Sequence, residues 1–146
     1  MGAILKVISP GIVASIQDEG RRGYATFGVP RSGAADLVAL QVGNALVGNE
    51  PFEAAIEFRF LGPKVLATKG RLRLGLAANA MAEITLAESG EKQSITPWQT
   101  IVLNEGDSLA VTNMVEGATG YLTVEGGFDL TPVLESCSTY ARAKLG

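Results

Sequence analysis

Short apolar runs, each closed by a turn rich in glycine or proline, recur along most of this chain and leave room for one substantial helix. Runs with strand character cover residues 3–8, 12–17, 53–60, 65–67, 72–76, 82–86, 100–103, 108–113 and 119–125. Between them stand Ser9-Pro10-Gly11, Leu61-Gly62-Pro63, Glu105-Gly106-Asp107 and Gly126-Gly127, and Gly90 sits at a hairpin tip beside Glu91 and Lys92. Glycine and proline break regular pairing and supply turn geometry, so this punctuation predicts an antiparallel barrel or sandwich. The first two runs, separated only by a turn, are expected to form an opening hairpin. The exception is a helical stretch in which Leu37, Leu40 and Val47 recur at helical spacing and Gly48 marks the stop. A mainly β fold with one capping helix follows.

Function is sought in the stretch from Gln17 to Asn49, where polar residues crowd an otherwise apolar chain. Gly20, Gly23, Gly28 and Gly33 alternate there with Asp18, Arg21, Arg22, Arg31 and Asp36. Such a loop either needs unusual backbone angles or brings backbone close to a ligand. Ser32 is expected to cap the helix, with Ala34 or Ala35 opening it and Asp36 in its first turn, where a negative charge suits the helix dipole. The alternative for Ser32 and Asp36 is a helix N-terminus that offers its amides to an anionic ligand. Asp18 is either a turn residue bonding nearby amides or a site residue. Asn44 is either solvated or bonded to a neighbouring loop. Glu57 and Arg59 share one side of their strand and are expected to pair on a solvated face. Near the end, Ser136, Ser138 and Thr139 form a hydroxyl-rich cluster. It is either a strand end making local backbone bonds or a set of hydroxyls for a ligand, and the first reading is favoured.

The bounds on function are firm. At 146 residues the chain suits a single domain. A net charge of −3 argues against nucleic acid, which needs a clustered cationic surface. No apolar run reaches the length of a membrane span, and the N-terminus lacks a signal-peptide layout. The lone Cys137 cannot form an intrachain disulfide, which suits the cytoplasm. It is expected to be a buried thiol and not a nucleophile, since the chain contains no histidine to activate it. For the same reason no Ser-His-Asp triad or histidine-ligated zinc can form within the chain, and proton transfer falls to Asp, Glu, Lys, Tyr, water or a partner chain. No metal-ligand cluster and no phosphate-binding loop of the Gly-x-x-x-x-Gly-Lys type is present.

Several motifs occur in one order: Ile16-Gln17-Asp18-Glu19-Gly20-Arg21-Arg22-Gly23-Tyr24, Gly28-Val29-Pro30-Arg31-Ser32-Gly33-Ala34-Ala35-Asp36, Asn44-Ala45-Leu46-Val47-Gly48-Asn49, Tyr121-Leu122-Thr123-Val124-Glu125-Gly126-Gly127 and Ser136-Cys137-Ser138-Thr139. In these the chain resembles the allophanate hydrolase subunit 2 family. That family includes the C component of the bacterial 5-oxoprolinase, the KipA antagonist of a kinase inhibitor, and part of the carboxyltransferase region of urea carboxylase. The resemblance covers nearly the whole chain but only the first part of the longer family members. It departs at Glu135 and Cys137, where glycine and arginine are expected.

The resemblance implies a cyclophilin-like antiparallel β-barrel with one capping helix. It implies a component of an ATP-dependent 5-oxoprolinase acting with a KipI-like sister subunit, or of a biotin-dependent urea or amide carboxylase, or a regulatory binding protein of the KipA kind. The chain itself is then expected to bind no cofactor, with ATP or carboxybiotin handled by the complex, and to be inactive alone. The hydrolase chemistry of the family's name resides in a separate amidase module. If the loop at residues 17–36 binds a small carboxylate or amide, Arg21 would pair with a carboxylate and Gln17 would bond the amide. Asp18 or Asp36 would move a proton, while Ser32, Gly33, Ser136, Ser138 and Thr139 would line the site.

Overall fold

A computed structural model describes residues 2–146. Ten strands and one α-helix make up its regular structure. In chain order the strands are β1 (Ile4–Ser9), β2 (Val13–Gln17), β3 (Ala55–Arg59), β4 (Lys64–Lys69), β5 (Leu72–Ala77), β6 (Ala80–Thr85), β7 (Lys92–Ile95), β8 (Gln99–Leu103), β9 (Ser108–Met114) and β10 (Thr119–Val124). The helix α1 spans Leu37–Leu46. The strands pair antiparallel in two five-stranded sheets, ordered β1-β4-β9-β6-β7 and β2-β3-β10-β5-β8. The mainly β reading with one helix of note therefore holds.

The expected opening hairpin does not form. β1 pairs with β4 and β2 with β3, so the turn at Ser9-Pro10-Gly11 carries the chain from one sheet to the other. A turn signal between two strands fixes the reversal but not the pairing partner. The hairpin about Gly90 does form, joining β6 to β7. β7 has no counterpart among the runs read from the sequence, because Lys92, Gln93 and Ser94 are polar and exposed and give no alternation.

One apolar core fills the space between the sheets. Phe58, Val65, Leu74, Leu76, Leu103, Leu109 and Leu122 are its large fully buried members. The outer face of the second sheet is covered by α1, whose Ala39 and Leu40 pack on Ala55, Ala77 and Tyr121. That cover corrects the expectation of a solvated Glu57. Its ion pair with Arg59 is present at 3.8 Å, but Glu57 itself is buried beneath the chain leading into α1. Asn44 is likewise buried. It donates to the carbonyls of Pro51 and Glu53 at 3.2 and 2.9 Å and accepts from Asn49, which closes the loop after the helix.

Asp36 caps α1, not Ser32: its Oδ1 accepts from the Ala39 amide at 3.0 Å. The amides before it are already spent. Gly33 donates to Gln17 Oε1, Ala34 to the Asp18 carbonyl, Ala35 to Glu57 Oε2 and Asp36 to the Tyr121 hydroxyl. Asp36 itself is extended at φ −128°, as an N-cap requires, so the helix starts at Leu37. The stop is as read: the chain leaves the helix at Val47, and Gly48 takes a left-handed φ of 74°.

Candidate functional site

Two polar clusters flank the entry to α1. The first gathers Gln17, Asp18, Arg21, Gly33, Ser136, Ser138 and Thr139, seven of the nine residues read as site candidates. The second gathers Asp36 with Tyr121 and Glu57. Ser32 stands between them, half-buried, with a φ of 55°.

β2 delivers Gln17 and Asp18 to the first cluster. The Asp18 carboxylate accepts from the hydroxyls of Ser136 and Ser138 at 2.6 and 2.7 Å, and from the amides of Cys137 and Gly20, both at 2.8 Å. The Asp18 amide donates in turn to Ser138 Oγ. Burial alone would raise the carboxyl pKa. The Ser136 and Ser138 hydroxyls and the two amides outweigh it and hold the group below its usual range, so Asp18 is ionised.

Arg21 lies beneath this carboxylate network with 1% of its surface exposed. Its guanidinium donates to three carbonyls of the same C-terminal segment, those of Val133, Ser136 and Ser138, the last at 2.7 Å. Nη1 is buried with no partner. Gln17 completes the set, accepting from Gly33 and donating to Ser15 Oγ and the Thr139 carbonyl. The Thr139 amide bonds the Ile16 carbonyl at 2.9 Å, so the segment lies against the outer edge of β2.

This arrangement ties two distant parts of the chain together. Apart from Arg21 Nη1, the charged groups are met by complementary backbone or hydroxyl groups, which is the condition for burying charge at tolerable cost. A ligand carboxylate would reach Arg21 only if residues 133–139 moved aside. Both sequence readings of Asp18 and of the hydroxyl cluster allowed local bonds. What the sequence did not signal is that the two satisfy each other across about 120 residues.

Cys137 is half-buried, and its thiol pKa is pushed up by burial and by the nearby Asp18 and Glu53 carboxylates, which outweigh Arg21. It stays a thiol at neutral pH. The turn just before it brings Val133 and Ser136 together through Leu134 and Glu135, both left-handed at φ 52° and 65°. Two-residue turns of this kind favour glycine, the residue expected at 135 from the family resemblance. Replacing Glu135 by glycine relieves a strain of ~1–2 kcal/mol and adds chain entropy to the unfolded state. Glu135→Gly should therefore stabilise the protein by about 0.5 kcal/mol or more, read as a higher urea midpoint with unchanged slope.

In the second cluster the Tyr121 hydroxyl donates to Glu57 Oε2 at 2.6 Å and accepts from the Asp36 amide. Burial and the adjacent Glu57 push its pKa far up, so it remains a neutral donor. Tyr121 and Glu57 were not among the sequence candidates; both face away from the core between the sheets, on the side that α1 covers, and the sequence does not signal that cover. An open pocket adjoins this cluster, between the start of α1 and Trp98, and Asp36 lines it. Among the described residues no three His, Cys, Asp or Glu side chains are grouped to hold a metal ion, and no helix is long and apolar enough to cross a membrane.

The comparisons with known proteins agree with this architecture. Residues 27–146 match the family described as carboxyltransferase domain, subdomain A and B. The chain belongs to that family. It is 31% identical to the C component of the Escherichia coli 5-oxoprolinase over 98% of its own length and 44% of that protein. It is 34% identical to urea amidolyase of Lachancea kluyveri over 97% of its length but 7% of that protein. The crystal structure of Kluyveromyces lactis urea carboxylase superposes with a TM-score of 0.84 and 31% identity, covering 94% of this chain and 12% of that one. The chain thus spans less than half the length of these relatives.

Proposed function

We propose that this chain is the carboxyltransferase-type component of a multi-subunit 5-oxoprolinase, acting with a KipI-like sister subunit in the ATP-dependent opening of 5-oxoproline to glutamate. The observation that carries this reading is the match to the C component of a 5-oxoprolinase along 98% of the chain. The similarity to urea amidolyase supports a second reading, the carboxyltransferase part of a biotin-dependent urea or amide carboxylase. A regulatory role of the KipA kind has no observation of its own here. The two sheets, which share one continuous core, are taken as one cyclophilin-like barrel.

ATP and carboxybiotin belong, on this reading, to the other components. The pocket beside α1 carries Asp36 and Glu116 and no lysine or arginine, a donor set unsuited to a triphosphate. Within this chain the ionised, fully bonded Asp18 holds the loop in place. Asp36 keeps one carboxylate oxygen free beside the pocket and is the better placed proton acceptor.

The test is reconstitution. Purified alone, the chain should form no glutamate from 5-oxoproline and ATP. With the sister subunit and the remaining components it should copurify and support turnover. Activity of the isolated chain that tracks its own concentration and survives repurification would overturn this division of labour. Activity with urea and a biotin carrier, absent with 5-oxoproline, would select the second reading.

A further inference from the structure

The pocket between Trp98 and α1 is not accounted for by the bonding network that holds the fold. Its volume is about 270 Å³, and its lining includes Asp36, Ala39, Asn79, Trp98, Glu116 and Thr119. Trp98 is the only tryptophan in the chain. It is 40% exposed, although large aromatic rings usually find cover, and its backbone is left-handed at φ 60°. The indole Nε1 donates to Asn79 Oδ1 at 2.6 Å. An indole nitrogen only donates, so this bond fixes the orientation of the Asn79 amide. The oxygen faces Trp98, and Nδ2 is left as a donor with no partner among the described residues. Asp36 uses Oδ1 to cap the helix, and its second oxygen remains as an acceptor.

The pocket therefore offers a flat aromatic surface, one oriented amide donor and one carboxylate acceptor. Two carboxylates and no basic side chain line it, which disfavours an anion. We propose that it is a binding subsite for a small, neutral, planar amide. The ligand carbonyl accepts from Asn79 Nδ2, its N–H donates to Asp36, and its plane lies on the Trp98 ring. Any carboxylate on such a ligand must point out to solvent. The inference deepens the reading above, because lactam and urea share this amide group, and it rests on that reading for the ligand class.

Trp98 provides the readout. Its fluorescence should change saturably with 2-pyrrolidone and with N-methylurea below denaturing concentrations. Acetate and guanidinium should give only a linear drift. Asn79→Asp keeps an oxygen for the indole but replaces the free donor, and it should weaken amide binding at least tenfold. Circular dichroism of that variant should match the parent, and if the variant fails to fold, Asn79→Ala removes the donor without adding a charge. Saturation unchanged by these variants would overturn the subsite, as would saturation by acetate or guanidinium instead of the amides, or no saturation at all. An assembled, active complex whose carboxyltransferase-type component binds no amide here would refute the subsite alone. Amide binding by a chain that joins no such complex would refute the assembly alone.

Discussion

Asp18→Ala is expected to cost about 3 kcal/mol or more of folding stability, since each hydrogen bond to a charged group is worth ~1.5–3 kcal/mol and its stranded partners add desolvation cost. The Ser136 and Ser138 hydroxyls and the Gly20 and Cys137 amides lose their common acceptor. Against a total stability of ~5–15 kcal/mol this is a large fraction. Chemical denaturation measures the loss. Limited proteolysis should show a new cut within residues 133–140, where the tie to β2 has been released. Asp18→Asn keeps the shape and should lose less. An alanine variant as stable as the parent, with residues 133–140 still protected, would mean that Arg21 and Gln17 hold that segment unaided.

The same carboxylate has a pH signature. Its folded-state pKa lies below the ordinary 3.8, so its contribution is complete above that value and is lost as the pH falls through the folded one. The parent protein should therefore lose stability more steeply below pH 3.8 than Asp18→Asn does. Parallel acid limbs would show that the carboxylate is held no better in the folded chain than in the unfolded one.

How much of this was legible beforehand follows from the range of each interaction. Nine of the ten strands were, because alternation and turn residues act over a few positions, and their observed ends differ from the expected ones by a residue or two; the polar β7 was missed. Pairing was not: the turn at residues 9–11 looks the same whether the next strand returns to its neighbour or crosses to the other sheet. The helix stop at Gly48 was legible from a local conformational need, whereas its start was set by Glu57 and Tyr121, residues far along the chain. Glu57 looked solvated because alternation reports which side of a strand a residue faces but not what covers that side. In the site, the residue types were right and their association was hidden. Nothing near Arg21 announces that its partners are carbonyls more than 110 positions away. Trp98 and Asn79 were overlooked because neither lies in a glycine-rich or charged stretch.

The helix reaches the site through one close approach, and Gly75→Ala should break it. Gly75 lies in β5 beneath α1. A methyl there would sit 2.5 Å from Thr123 Oγ1 and 2.6 Å from the Gly43 carbonyl oxygen. The second of these is helix backbone and cannot rotate away. Thr123 Oγ1 already donates to that carbonyl at 2.6 Å, so the added carbon intrudes on the hydrogen bond that seats the helix. Overpacking costs ~1–3 kcal/mol and a lost buried hydrogen bond about 1 more, which gives an expected destabilisation of ~2–4 kcal/mol. Gly90→Ala is the control. Its methyl would meet open space, so only the left-handed backbone at φ 70° is penalised, by about 1 kcal/mol. Because Asp36 moves with α1, the displaced helix should also alter Trp98 fluorescence in Gly75→Ala and leave it unchanged in Gly90→Ala. If the two variants prove equally stable and their spectra coincide, α1 has slack against the sheet, and Asp36 is positioned by the Tyr121 contact instead.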